Sequence, residues 1–268
     1  MNLAPATVSL KERMKTCLSD SSMLLGGFVF STEPAMAEIY TAAGFDFVII
    51  DMEHALNDMG STVAHLRAAR GAGIHALVRV GEADLSNIPR LLDAGCEGVF
   101  LPHLGMPGKG TSEAIRTLKY HPDGVRPTCT GVRAADYGLA EFGKVASESN
   151  RNILSVGMVE DAQCIENIEE ILDTGEEVDW LMPGPADLST SLGVHGRVRE
   201  PIVLNAVDKV FRAAQERGIP VGMYINDPSE LPEWRDKGAK FIVLSIDLKW
   251  LGRSLKSAAK VCKEAMTK

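Results

Sequence analysis

The residues that could do chemistry sit where apolar runs stop. Phe45-Asp46-Phe47-Val48-Ile49-Ile50 gives way to Asp51, Glu53 and His54. His54 is a candidate general base, with Asp51, three residues earlier, to orient it. The bland alternative is a loop with a solvated acid pair and a surface histidine. Arg79 closes a second run, His75-Ala76-Leu77-Val78. A guanidinium is costly to bury unpaired, so Arg79 is expected to meet either a substrate oxygen or a neighbouring acid. Glu160 and Asp161 follow a third run, Asn152 to Val159, and Asp187 lies in Pro183-Gly184-Pro185-Ala186-Asp187-Leu188-Ser189. Glu160 and Asp187 together, with positions left for water or substrate, suit oxygen ligation of Mg²⁺ or Mn²⁺, with Co²⁺ as a third candidate, and not a closed zinc site. The competing role for Glu160 is a cap on the next helix, for which Asp161 is the better candidate. The proline-fixed turn could aim the N–H groups of Gly184, Ala186 and Asp187 at an anion, or it could be a structural turn.

These residues are useful only if the chain brings them together, and the pattern of elements says that it does. Apolar segments of four to eight residues alternate with amphipathic ones that start at Ser, Thr or Pro and end at Gly. The reading gives strands over 24–30, 45–51, 75–80, 98–103, 152–159, 178–182, 220–225 and 241–246. Helices are expected over 9–18, 35–43, 61–72, 88–94, 112–120, 162–172 (ended at Gly175), 202–217, 229–237 and 248–266. Eight β/α units in 268 residues, preceded by one extra N-terminal helix, imply a single (β/α)₈ barrel over 1–268. An open doubly wound sheet is the runner-up, but Gly26-Gly27 does not supply its Gly-x-Gly-x-x-Gly turn. Residues 121–150 break the rhythm and are expected as a loop inserted over the active face.

In a parallel barrel the strand C-terminal ends converge on one mouth. That rim would carry Asp51, Glu53, His54, Arg79, His103, Glu160, Asp161, Asp187, Asn226 and Asp247. Adjacent strands lie about 4.8 Å apart, so Glu160 and Asp187 on neighbouring strands can approach closely. Two such charges about 4 Å apart repel by roughly 4 kcal/mol at an effective dielectric near 20, which a cation between them would relieve. No Gly-x-Ser-x-Gly elbow or Walker loop occurs, and no lysine ends a strand, which argues against Schiff-base catalysis. His65, His75, His121 and His195 read as structural or solvated.

Composition narrows the partners. A net charge of −8 without a basic block speaks against nucleic acid or an anionic membrane. The five scattered cysteines form no Cys-x-x-Cys arrangement, and there is no apolar leader, so a reducing compartment, the cytoplasm, is expected.

Ile50-Asp51-Met52-Glu53-His54-Ala55, Leu77-Val78-Arg79-Val80, Leu91-Leu92-Asp93-Ala94-Gly95 and Gly184-Pro185-Ala186-Asp187-Leu188-Ser189 together resemble the HpcH/HpaI aldolases, metal-dependent class II pyruvate aldolases. The resemblance runs from about Gly26 to the last helix. It implies that Glu160 and Asp187 bind the metal and that a 2-oxo acid such as pyruvate chelates it. His54, held by Asp51, would be the base, and Arg79 would stabilise the enolate oxygen. Amides from Gly184 to Asp187 would take the carboxylate. Asp93 matches an aspartate near the subunit contact, and Glu53 falls to a supporting role. It further implies a homohexamer, a trimer of dimers that exchange the last helix. The implied reaction cleaves a 4-hydroxy-2-oxo acid to pyruvate and an aldehyde. Oxaloacetate-type decarboxylation, malyl- or citramalyl-type cleavage and a non-catalytic acid-binding barrel are the alternatives. Two departures bear on the acceptor aldehyde. Gly124-Val125-Arg126-Pro127 stands for the usual Arg-Gly turn, and Gly157-Met158-Val159-Glu160-Asp161 for the usual Gln-x-Glu-Thr.

Overall fold

The computed structural model describes residues 8–173 and 178–267. Its strands are β1 (Leu24–Val29), β2 (Phe47–Asp51), β3 (His75–Arg79), β4 (Gly98–Leu101), β5 (Leu154–Val159), β6 (Trp180–Pro183), β7 (Gly222–Ile225) and β8 (Phe241–Ile246). The helices between β1 and β5 are α2 (Ala35–Ala42), α3 (Met59–Ala72), α4 (Ile88–Asp93), α5 (Thr111–Arg116) and α6 (Phe142–Asn152), with α1 (Leu10–Asp20) ahead of them. After β5 come α7 (Ala162–Glu166), α8 (Ile168–Asp173), α9 (Pro185–Ser191), α10 (Pro201–Glu216), α11 (Leu231–Asp236) and α12 (Asp247–Met266). All strand pairs are parallel, in the order β6-β5-β4-β3-β2-β1-β8-β7. A single Leu181–Val221 bridge joins the outer two, so the sheet curls into a nearly closed (β/α)₈ barrel.

Period-two burial builds the interior. Phe47, Leu77, Phe100, Trp180 and Phe241 share one cluster inside the barrel, which the N-terminal helix closes with Leu10, Met14 and Cys17. Large rings need small neighbours: a Cβ at Gly26 would stand 2.2 Å from the Phe47 ring, and one at Gly222 2.3 Å from Phe241. The alternate residues Val48, Ile50 and Val78 face outward and pack against Leu66 and Ala69 of α3 and Leu91 of α4. Ser9 and Glu12 form a capping box that starts α1, and Lys11 ties it to Asp179 at 2.6 Å.

Several expectations need correction. The helix expected over 162–172 is broken at Asn167 into α7 and α8, and its stop at Gly175 lies outside the described residues. The turn after β6 is helix α9, because Pro185 at its first position is already set for helical φ. Residues 121–150 do not cover the mouth of their own barrel. Arg126 donates to Asp93 at 2.7 Å and Arg133 to the Ala94 carbonyl at 2.8 Å, both just ahead of β4. The segment follows a helix and precedes a strand, so it starts from the end of the barrel where strands begin.

Helix α12 stands apart. Leu248, Leu251, Leu255, Val261 and Met266 are all exposed on it. Among the described residues no helix is long and apolar enough to cross a membrane.

Candidate active site

Asp51 and Arg79 are partners in the β2–β3 register, and both side chains are buried. Asp51 accepts the Arg79 Nε–H on one oxygen. Its other oxygen accepts the backbone N–H groups of His54, at 2.7 Å, and Ala55, at 3.0 Å. Asp51 therefore fixes the loop and the arginine, and it does not touch the His54 imidazole as the sequence suggested. That ring is 56% exposed and lies 3.7 Å from a Glu53 oxygen. Glu53 braces the same arginine. Its Oε2 takes Arg79 Nη1 at 3.2 Å, and burial raises its pKa against the pull of Arg79 and His54. The guanidinium also lies 4.6 Å from the centre of the Phe28 ring.

Across the mouth, Glu160 is 2% exposed just beyond β5. Its Oε1 accepts the His103 N–H at 3.0 Å. Burial pushes its carboxyl up to about 7; the His103 amide works against this, while the negative charges of Glu53 and Asp187 add to it. Gly184 is required beside it: a Cβ there would fall 2.6 Å from Glu160 Oε2. Asp187 sits in the first turn of α9, exposed to the cavity. The Gly184 N–H is not available to a substrate, because it donates to the Val159 carbonyl at 3.0 Å. The first-turn amides of Ala186 and Asp187 have no acceptor within their own helix.

A divalent cation fits this donor set. A buried carboxyl with one amide donor faces a second acid, and the missing Gly184 side chain leaves room at its other oxygen. Among the described residues no three His, Cys, Asp or Glu side chains cluster as a metal site. Glu160 and Asp187 would thus leave the remaining positions to water or substrate oxygens, as Mg²⁺ and Mn²⁺ sites do.

The other rim residues have structural partners. Asp161 does not cap its helix; its carboxylate accepts the His103 Nδ1–H at 2.8 Å, and Ser191 Oγ takes the Ala162 N–H. Burial disfavours the charged His103 ring, yet Asp161 and Glu160 outweigh it and raise its pKa. Asp247 holds the Phe30 and Ser31 amides at 2.9 and 3.0 Å. His65 and His75 are buried on Ser31 O and Glu97, respectively. Asp93 lies at the opposite end of the barrel on Arg126. One residue escaped sequence reasoning: Lys249, in the first turn of α12, lines the same cavity as Arg79, His54 and Asp187. Its place three residues past β8 was the available signal.

The fold and the acid-rich mouth define a (β/α)₈ enzyme of the metal-assisted kind. The chain belongs to the HpcH/HpaI aldolase/citrate lyase family, whose sequence model matches residues 24–253. It is 32% identical over 251 residues to a hydroxypyruvate/pyruvate aldolase of Paraburkholderia phytofirmans, spanning 91% of this chain and 95% of that one. A 5-keto-4-deoxy-D-glucarate aldolase of Escherichia coli is 29% identical, over 88% and 91%. The crystal structure of an HpcH/HpaI aldolase from Desulfitobacterium hafniense superimposes with a TM-score of 0.84 at 30% identity, over 93% and 96%. The chain is accordingly a class II, divalent-metal-dependent aldolase, a carbon–carbon lyase.

Proposed function

We propose that this enzyme reversibly cleaves a 4-hydroxy-2-oxo acid into pyruvate, or a close 2-oxo acid, and an aldehyde. The carrying observation is Arg79, fixed by Asp51 and Glu53 in the same cavity as His54 and Asp187. The relatives' names, pyruvate and 5-keto-4-deoxy-D-glucarate aldolases, support the 2-oxo acid. Glu160 and Asp187 would hold a divalent cation, Mg²⁺ or Mn²⁺ with Co²⁺ as a third candidate, and the cation supplies electrostatic stabilisation of the enolate charge. Arg79 presents its guanidinium to the keto oxygen, and the amides of Ala186 and Asp187 receive the substrate carboxylate. His54 takes the proton of the C4 hydroxyl as the C3–C4 bond breaks. The bonding pair moves into the enolate, C4 leaves as the aldehyde, and a proton delivered to C3 completes pyruvate.

Deuterium uptake at C3 of pyruvate tests this reading. The metal-loaded enzyme is expected to exchange in heavy water and to stop when a chelator is added. No exchange with Mg²⁺, Mn²⁺ or Co²⁺ would overturn it.

The exposed apolar stripe of α12 supports a homo-oligomer, and we assign it as a hexamer built as a trimer of dimers, with Asp93 near the subunit contact. Sedimentation of the full chain checks this. Five unpaired cysteines support a cytoplasmic setting.

A further inference from the structure

Ser189 is wholly buried two residues past Asp187, and its hydroxyl works in two directions. Its Oγ accepts the Gly196 N–H at 2.9 Å and donates to the Ala186 carbonyl at 2.6 Å. A serine that bonds a carbonyl three residues back is common in helices and by itself says nothing of function. The place of that carbonyl gives the bond its meaning. Ala186 C=O and Asp187 N–H belong to one planar trans peptide, so the oxygen and the hydrogen point in opposite directions. The oxygen takes the buried hydroxyl. The N–H has no acceptor among the described residues, and Ala186 and Asp187 both line the mouth cavity. Hydrogen bonds aligned head to tail polarise one another. Gly196 N–H, Ser189 Oγ–H and the Ala186–Asp187 peptide form such a line, and its last donor is the Asp187 amide. The other end of the line is tied to the wall of the same cavity. Gly196 lies in the segment that brings Val198 and Arg199 to it, and the Val194 N–H holds the Ser189 carbonyl at 2.8 Å. Glu160 points independently to a ligand at the open end: it is 2% exposed, and its Oε2, beside Gly184, has no hydrogen-bond partner among the described residues.

We infer that Ser189 is a positioning residue: through the Ala186 carbonyl it orients and polarises the Ala186–Asp187 peptide, so that the Asp187 N–H receives the carboxylate of the 2-oxo acid. Ser189 itself does not touch the substrate. Its hydroxyl fixes the plane of the peptide before the substrate arrives, and a donor already aimed at a charge stabilises it without reorganising. The inference rests on the retro-aldol reading and deepens it, naming what holds the carboxylate-binding amide in place.

The test uses full-length, metal-loaded enzyme and two substrates for deuterium exchange: pyruvate, and pyruvamide, which keeps the ketone and its methyl group but carries no charge. Wild type is expected to favour pyruvate in kcat/KM. Ser189→Ala is expected to lower that preference about fivefold, chiefly through KM for pyruvate, because a charged acceptor gains most from a polarised donor. Affinity for Mn²⁺, measured by calorimetry without substrate, is expected to stay within about twofold, since the carboxylates of Glu160 and Asp187 are untouched. An unchanged preference, or a fall in Mn²⁺ affinity as large as the fall in preference, overturns the role of Ser189 and leaves the aldolase reading standing. Should Ser189→Ala take up no Mn²⁺ at all, Ser189→Cys, a weaker donor of nearly the same size, replaces it in the same comparison. A smaller fall in preference then supports the inference, and no fall overturns it. Absence of exchange in wild type overturns the aldolase reading and this inference with it.

Discussion

Two buried arginines mark the two ends of the barrel, and they look alike at first. Arg79, 6% exposed, stacks on Phe28 and pairs with Asp51; Arg126, 5% exposed, stacks on Tyr120 at 4.4 Å and pairs with Asp93. The surroundings separate them. Arg126 is locked among Asp93, Ser149 and the ring, with bases and acids interspersed around it. Around Arg79 the acids outnumber it, with Glu53 and Glu160 both pushed up in pKa by burial. A buried Arg–Asp pair is therefore no sign of a site by itself. The sign is negative charge in excess of what the adjacent arginine can balance, an excess that a divalent metal would offset.

Glu160→Gln should break the mouth half of this comparison most severely. Metal-dependent deuterium exchange is expected to fall by at least about a thousandfold, as losing both metal ligation and charge stabilisation implies. The same change removes a carboxylate that the fold disfavours in its charged form, so the metal-free variant should melt no lower than wild type. Wild type should gain about 2.7 kcal/mol in a hundredfold excess of metal over its Kd, and the variant should not. A retained metal-induced shift in Tm would take Glu160 out of the ligand set.

Arg126→Met probes the other end. It leaves Asp93, whose side chain is 21% exposed, without its cation and removes the stack on Tyr120. Denaturant unfolding should show a loss of about 2 to 3 kcal/mol, below the ~3–5 of a fully buried pair because Asp93 reaches water. The metal-induced gain in stability should persist. If it vanished, the two ends would not be separable in the way their charges suggest.

Gly184→Ala is the finest cut. The added Cβ would meet the Glu160 carboxylate and push it aside. Metal affinity measured by calorimetry should drop about tenfold, with a stability cost of about 1 to 3 kcal/mol from overpacking. Unaltered affinity would mean that the close approach of Gly184 serves packing alone.

Much of this was readable in the chain. Apolar runs alternating with capped helices specified the eight β/α units, because burying a strand on both faces and a helix on one leaves periodicity as its trace. The same logic put Asp51, Arg79 and Glu160 at strand ends. The placement of residues 121–150 was also within reach, since a segment between a helix and the next strand belongs to the end where strands begin. Its length suggests a cover for the mouth, but its connectivity sets it at the other end.

What the residue order could not say was which partner each side chain takes. Asp51 could have turned to the His54 ring; the one-to-one register of β2 and β3 gives it to Arg79 instead. The Gly184 amide looked free in the turn but closes the sheet against Val159. Lys249 belongs to a helix in the sequence and to the mouth in space, because α12 leaves β8 within one turn of the Tyr224 ring. The sequence by itself determined the barrel, the family and the stock of acids and bases at one rim, since these follow from local periodicity and from residue types at strand ends. The balance of charge at that rim, and so which groups bind and which only brace, was decided by the tertiary structure. Desolvation and hydrogen-bond pairing depend on neighbours that lie far apart in the chain.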